Sequence, residues 1–274
     1  MQSIRAPTRL KILCQHMISR SVSSKINVNG VDLAYQKVGT GQHVVLLLPG
    51  ALGCGETDFS PQINGLDRDK LTIVSWDPRG YGRSIPPDRD FPVDFFYRDA
   101  HDAAGLMKNL GFAKYSLLGW SDGGNTAGIV AAKYPNNIDK LILWGSNSFI
   151  TKEDMDLFEK VRDISRWSEA MRKPMIDIYG EEYFRQKWSD WVERLHQIFN
   201  ERNGDIFRKE LEHICAPTLI IHGEKDAMVP RFHPEYLHKN IKGSIIDYWE
   251  NAKHNLHLKY ADRFNAQVEN FLLK

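Results

Sequence analysis

Gly119-Trp120-Ser121-Asp122-Gly123 sets a serine between glycines two residues away on either side. A serine hydroxyl reaches a carbonyl best from a sharp turn that lifts it clear of the chain, and such a turn has no room for flanking side chains. The pentapeptide follows an apolar run, Tyr115 to Leu118, and opens a helical stretch, Gly123 to Lys133. That is the strand, elbow, helix order of a nucleophile elbow. At the start of the helix, free backbone N–H groups can hold the negative oxygen that attack on a carbonyl creates. The chemistry expected is acyl transfer, with Ser121 as nucleophile.

Serine is a weak nucleophile without a base, and a fold of this kind supplies acid and histidine later in the chain, in that order. Asp226 closes His222-Gly223-Glu224-Lys225-Asp226, just past the run Thr218 to Ile221; His254 follows the run Ser244 to Tyr248 by a short loop. His254 is expected to take the Ser121 proton, and Asp226 to fix its tautomer. Glu224 is the rival acid, although it fits the turn better. His257 is the rival base, but it falls in the last helical pattern, where a packing histidine is the ordinary case. The second half of an oxyanion hole should come from Leu48-Pro49-Gly50-Ala51-Leu52-Gly53, whose glycines let the backbone approach the reacting carbon. The N–H groups of Leu52 and Asp122 are the expected pair, with Ala51 the neighbouring alternative. A phosphate loop is unsupported, because neither a G-K-[ST] ending nor G-x-G-x-x-G is present.

The elements that must position these groups alternate. Lys25 to Val28 and Val31 to Tyr35 flank Asn29-Gly30, a pair suited to a type I′ hairpin turn. His43 to Leu48, Leu71 to Trp76, Tyr115 to Leu118, Leu141 to Trp144, Thr218 to Ile221 and Ser244 to Tyr248 are short apolar runs, as expected of strands covered on both faces. Helical patterns at Asp99 to Leu110, Gly123 to Lys133 and His257 to Leu272 separate or follow them. The expectation is an α/β fold with a mostly parallel, doubly wound sheet. Residues 147–215 lose the strand signal, and Trp167, Tyr179, Tyr183, Phe184, Trp188, Trp191 and Phe199 interleave with charge there. This segment reads as a helical cap inserted between two parts of the core, 25–146 and 216–274.

The N-terminus differs. Arg5, Arg9, Lys11, Arg20 and Lys25 accompany a serine-rich stretch with no Asp or Glu before Asp32. This bias is that of a mitochondrial transit peptide, expected over residues 1–24 and implying a mitochondrial location. Over all 274 residues the formal charge is +1, which gives no general attraction to nucleic acid, and no run is apolar enough to span a membrane. Cys14, Cys54 and Cys215 are too scattered for a disulfide framework or a metal site, so a reducing compartment is expected.

Taken together, the strand entering Pro49-Gly50, Trp76-Asp77-Pro78-Arg79-Gly80-Tyr81-Gly82-Arg83-Ser84, the Ser121 elbow, Gly223-Glu224-Lys225-Asp226 and Lys253-His254-Asn255 resemble the α/β-hydrolase superfamily over residues 25–274. Within it, Asp88-Arg89-Asp90-Phe91-Pro92, the elbow with Gly124, and Lys253 to Leu258 are similar to the mitochondrial α-amino acid ester hydrolases. Pro49 departs from the histidine many members carry before the glycine, which bears on the oxyanion loop and not on the triad. The resemblance implies a cofactor-independent serine hydrolase with no metal, acting on esters of α-amino acids, including amino-acid ester prodrugs of nucleoside analogues; a monomer is expected. It gives Arg79 a structural role and Asp122 the recognition of the substrate amine.

The last point has its own physical ground. A carboxylate beside the nucleophile repels a developing oxyanion unless it turns away or meets a cation, and an α-ammonium lies one carbon from the attacked carbonyl. Capping the helix is the other use for Asp122. A carbon–carbon bond hydrolase of ring-cleavage products or a general carboxylesterase is the alternative enzyme, and a catalytically silent scaffold the non-enzymatic one.

Overall fold

The computed structural model describes residues 23–274; the expected transit peptide falls almost wholly outside them. Chain entry is the hairpin of β1 (Ser24–Val28) and β2 (Val31–Val38), turned at Asn29 and Gly30, both at positive φ. Ser24, the last residue of the expected leader, already pairs with Tyr35. The sheet continues with β3 (His43–Leu48), β4 (Leu71–Trp76), β5 (Tyr115–Trp120), β6 (Ile138–Trp144), β7 (Thr218–Gly223) and β8 (Ile245–Trp249), in the order β1-β2-β4-β3-β5-β6-β7-β8. From β4 through β8 every pairing is parallel; the hairpin joins antiparallel along β4. The central strands β3, β4, β5 and β6 are buried over most of their length, so both faces must be covered, and two apolar cores lie on opposite sides.

The covering helices are α1 (Gly55–Gly65), α2 (Phe95–Asn109), α3 (Asp122–Lys133), α7 (Phe232–Asn240), α8 (Leu256–Lys259) and α9 (Ala261–Leu272). The final helical pattern is therefore two helices, broken at Tyr260. Helix α1 had no apolar periodicity to announce it: Pro61 lies inside it, and its buried face includes Asp58 and Gln62.

Between β6 and β7 the chain is helical: α4 (Lys152–Arg162), α5 (Glu169–Tyr179), α6 (Glu181–Glu201) and a 3-10 turn (Arg208–His213). Thr151 and Asp154 form a reciprocal capping box at the start of α4. Phe184, Trp188, Trp191, Leu195 and Ile198 bury the inner face of α6. The two ends of this insertion meet in a short neck, where Ile150 N–H donates to Gly204 O at 2.8 Å and the Ile206 and Phe207 amides donate to Ser148 O. Among the described residues no helix is long and apolar enough to cross a membrane.

Candidate active site

Ser121 stands at the end of β5 with φ +54° and ψ −125°, a left-handed backbone in a non-glycine residue, and its carbonyl accepts from Gly124 N–H at 2.8 Å as α3 begins. The flanking glycines are a steric necessity. A Cβ on Gly123 would lie 2.0 Å from Leu48 O, and one on Gly119 would lie 2.5 Å from Gly123 O. The strain of positive φ at Ser121 is thus imposed by close packing of the elbow against the end of β3.

His254, half-buried in the loop after β8, faces the buried Asp226 with Nδ1 at 2.9 Å from Oδ2. The other carboxylate oxygen accepts the Met228 and Val229 amides at 2.8 and 3.0 Å. Asp226 is thereby held below the ordinary carboxylate range: burial pushes it up, and the His254 charge and these hydrogen bonds outweigh that. A carboxylate so placed accepts, so Nδ1 carries the proton and Nε2 is the nitrogen left to act as a base. Burial lowers the His254 pKa, and the Asp226 charge and hydrogen bond, with Asp122 and Asp58 further off, raise it above its ordinary value on balance. The main chain at His254 is tied to the elbow by Trp120, next to the serine, whose indole N–H donates to His254 O at 3.0 Å.

The structure does not favour the two rivals. Glu224 points outward to Arg231 at 3.0 Å. His257 is fully buried, accepting from Trp144 Nε1 at 3.0 Å with Nδ1 and donating from Nε2 to Asp58 O at 2.9 Å; burial pushes its pKa down to about 3, so it stays neutral.

The loop after β3 passes directly over the elbow: a Cβ on Gly50 would sit 3.4 Å from Ser121 Cβ. Gly53 N–H closes a turn on Gly50 O at 3.0 Å, and Leu52, buried, takes φ +56°. Two groups outside the loop fix it. Asp58 of α1 accepts Gly50 N–H at 2.9 Å, and the Tyr179 hydroxyl of α5 donates to Leu52 O at 2.8 Å. Asp58 is itself pushed up to about 7 by burial, against the Thr57 hydroxyl and the Gly50 amide, which lower it. The Leu52 amide neighbours the buried phenol of Tyr81, which burial raises and the Arg89 guanidinium, 4.5 Å over its ring, lowers.

Asp122 is half-buried under the cap. Its Oδ2 accepts the indole N–H of Trp191, from α6, at 2.7 Å. Among the described residues no Lys or Arg forms an ion pair with it. Arg89, whose charge lowers its pKa, spends itself on Asp99 in a bidentate pair at 2.9 and 2.7 Å. Burial therefore pushes the Asp122 carboxyl up to about 7, with the Trp191 bond pulling it down. The side chain is held by the cap and not folded back onto the helix start. The small cavity beside it is lined by Asp99 and Asp122 with Leu48, Gly50, Trp76 and Tyr81, and none of its lining residues is basic. Arg79 is turned elsewhere, donating to Asp102 from Nε at 2.8 Å and to Asn29 O.

Trp191, Tyr179 and Asp58 carried no recognisable signal in the sequence. Trp191 and Tyr179 act across 69 and 127 residues of chain, and Asp58 acts on the neighbouring loop from a helix without an apolar stripe.

Comparison with known proteins agrees with the fold. Residues 43–167 match the profile of the alpha/beta hydrolase fold. The chain is 54% identical over 250 residues to the human protein "Serine hydrolase BPHL", covering 91% of this chain and 86% of that one. It is 27% identical to the Escherichia coli 2-hydroxy-6-oxononadienedioate/2-hydroxy-6-oxononatrienedioate hydrolase, covering 88% and 90%. Among solved structures, the 2-hydroxy-6-oxo-6-phenylhexa-2,4-dienoate hydrolase of a Rhodococcus strain superposes with a TM-score of 0.78 at 18% identity, covering 93% and 99%.

Proposed function

This chain belongs to the α/β-hydrolase fold family and is a serine hydrolase acting on esters, and from that premise we propose that its substrates are esters of α-amino acids, amino-acid ester prodrugs of nucleoside analogues among them. The observation that carries the reading is Asp122: a half-buried carboxylate beside the nucleophile, held by a neutral donor and paired with no protein cation among the described residues. A buried charge without a partner is costly, and a substrate ammonium one carbon from the attacked carbonyl would supply that partner.

In this scheme Ser121 Oγ attacks the ester carbonyl while His254 Nε2 takes its proton, and Asp226 steadies the imidazolium. The Leu52 and Asp122 amides hold the tetrahedral oxyanion. Collapse expels the alcohol, which takes the proton back from His254, and leaves an acyl-Ser121 that water then hydrolyses with His254 again as base. Asp122 contributes twice: its amide to the oxyanion, its carboxylate to the ammonium. A carbon–carbon bond hydrolase would have to seat an anionic ring-cleavage product against the same carboxylate, so the ester reading is preferred. The basic N-terminal segment would take the protein to the mitochondrion.

The test compares a valine aryl ester with its N-acetylated twin. Asp122→Asn should lower kcat/KM for the free amine by about 1.5 to 3 kcal/mol, the range for a hydrogen bond to a charged group, and spare the acetylated ester. Equal losses on both would reassign Asp122 to the oxyanion alone.

The pH profile gives a second check. In free enzyme both His254 and Asp122 must be unprotonated, the first raised above 6.5 and the second near 7. The acid limb of kcat/KM should therefore lie above pH 6.5, and fall more steeply for the free amine than for the acetylated ester. Trp191→Phe removes the bond that lowers the Asp122 pKa, so the free-amine limb should move to higher pH while the acetylated limb stays. Parallel movement of both limbs would refute the assignment.

A further inference from the structure

The cap touches the reaction machinery at a second place, and this contact differs in kind from the Trp191 bond. Tyr179 is the last residue of α5, and its hydroxyl lies between two core loops. It accepts Gly82 N–H at 2.8 Å and donates to Leu52 O at 2.8 Å. An amide can only donate and a carbonyl can only accept, so the direction of the phenolic proton is fixed: it must point at Leu52.

Leu52 is where such a strut matters. It is buried at φ +56°, a left-handed conformation that a leucine adopts only when its surroundings hold it there. Its N–H and its C=O belong to successive peptide planes hinged at that strained residue. Anchoring the carbonyl limits rotation about the hinge, and so limits where the N–H points. On the far side the loop is anchored by Asp58 on Gly50 N–H, an anchor supplied by the core. Of these two anchors, the one at Leu52 comes from the cap.

We propose that Tyr179 is a positioning residue for the oxyanion hole, a cap side chain whose hydroxyl holds the Leu52 peptide in register with Ser121. The cap then completes the catalytic geometry as well as covering the substrate, and any shift of α5 away from the core releases the loop. This rests on the reading of Leu52 as an oxyanion donor given above.

A neighbouring bond provides the control. The Tyr183 hydroxyl, four residues on in α6, accepts Arg89 N–H at 3.0 Å, also joining cap to core but without touching the loop. Tyr179→Phe and Tyr183→Phe each delete one such hydroxyl and little else. With p-nitrophenyl acetate, a neutral ester that bypasses Asp122, Tyr179→Phe should lower kcat by roughly tenfold to a hundredfold with KM nearly unchanged, somewhat less than outright removal of an oxyanion donor. Affinity for phenylboronic acid, whose tetrahedral adduct on a serine occupies the oxyanion hole, should fall by the same factor. Tyr183→Phe should leave both values close to wild type. Equal losses in the two variants would reduce Tyr179 to cap docking, and an unchanged kcat in Tyr179→Phe would overturn the proposal. Wild-type turnover that survives Ser121→Ala would instead bring down the nucleophile assignment, and this inference with it.

Discussion

Asp226→Asn is expected to lower kcat by about four orders of magnitude while leaving the fold intact. The reason lies in how the two carboxylate oxygens are used. Oδ1 accepts the Met228 and Val229 amides, and Oδ2 faces His254 Nδ1. An asparagine has a single oxygen. Two backbone donors compete for it against one ring nitrogen, so the carboxamide oxygen stays with Met228 and Val229 and the NH2 group turns to His254. A donor facing Nδ1 forces that nitrogen to accept, which moves the ring proton to Nε2. The imidazole then has no lone pair for the Ser121 proton, and a serine protease with this substitution loses activity on this scale for the same reason. Loss of the negative charge adds to the effect, because the imidazolium formed in the transition state is no longer balanced. Steady-state hydrolysis of an activated ester, with circular dichroism confirming the fold, checks this. A loss below about a hundredfold would mean that Asp226 only braces its loop.

The larger effect belongs to Ser121→Ala, for which a loss of about a millionfold in kcat is expected, the scale seen when a serine hydrolase is deprived of its nucleophile. Alanine keeps the Cβ and so meets the same steric conditions at φ +54°, which makes folding a weak objection. The informative readout is the acyl-enzyme. Intact-mass measurement after brief mixing of wild type with a slowly deacylating aryl ester should find one added acyl group, and the alanine variant should remain unmodified. Adduct on the variant would place the nucleophile elsewhere.

How far the sequence alone could go follows from what each feature depends on. The strands were legible because burial on both faces demands unbroken apolar runs, and β3 and β4 begin and end where those runs do. The elbow was legible because its glycines answer to a local clash. Helix α1 was not: it turns Asp58 and Gln62 inward, so polar residues stand where a periodic apolar stripe would be sought. Those residues face inward because they have buried partners there, Asp58 on Gly50 of the preceding loop and Gln62 on His257 O and Asn265 far along the chain. The cap was visible as a helical, aromatic-rich interruption, but which of its aromatics reach the core was not. Trp188 and Trp191 are three residues apart on one helix face; Trp188 donates to Val161 O within the cap and Trp191 to Asp122 beneath it. Spacing cannot separate them, and tertiary packing does.

The neck between Ile150 and Gly204 carries a further consequence, an evolutionary one. It is closed by main-chain hydrogen bonds, Ile150 on Gly204 and the Ile206 and Phe207 amides on Ser148, which almost any sequence can supply. The cap therefore leaves and re-enters the sheet at one point, and β6 still pairs with β7 in register on the other side of it. Residues can be inserted, deleted or exchanged beyond the neck without altering the spacing of the strands that present Ser121, Asp226 and His254. Such an arrangement lets selection rewrite what is admitted as a cassette, while the strands that carry the triad are inherited unchanged, provided the new cap keeps its contacts to Leu52 and Asp122.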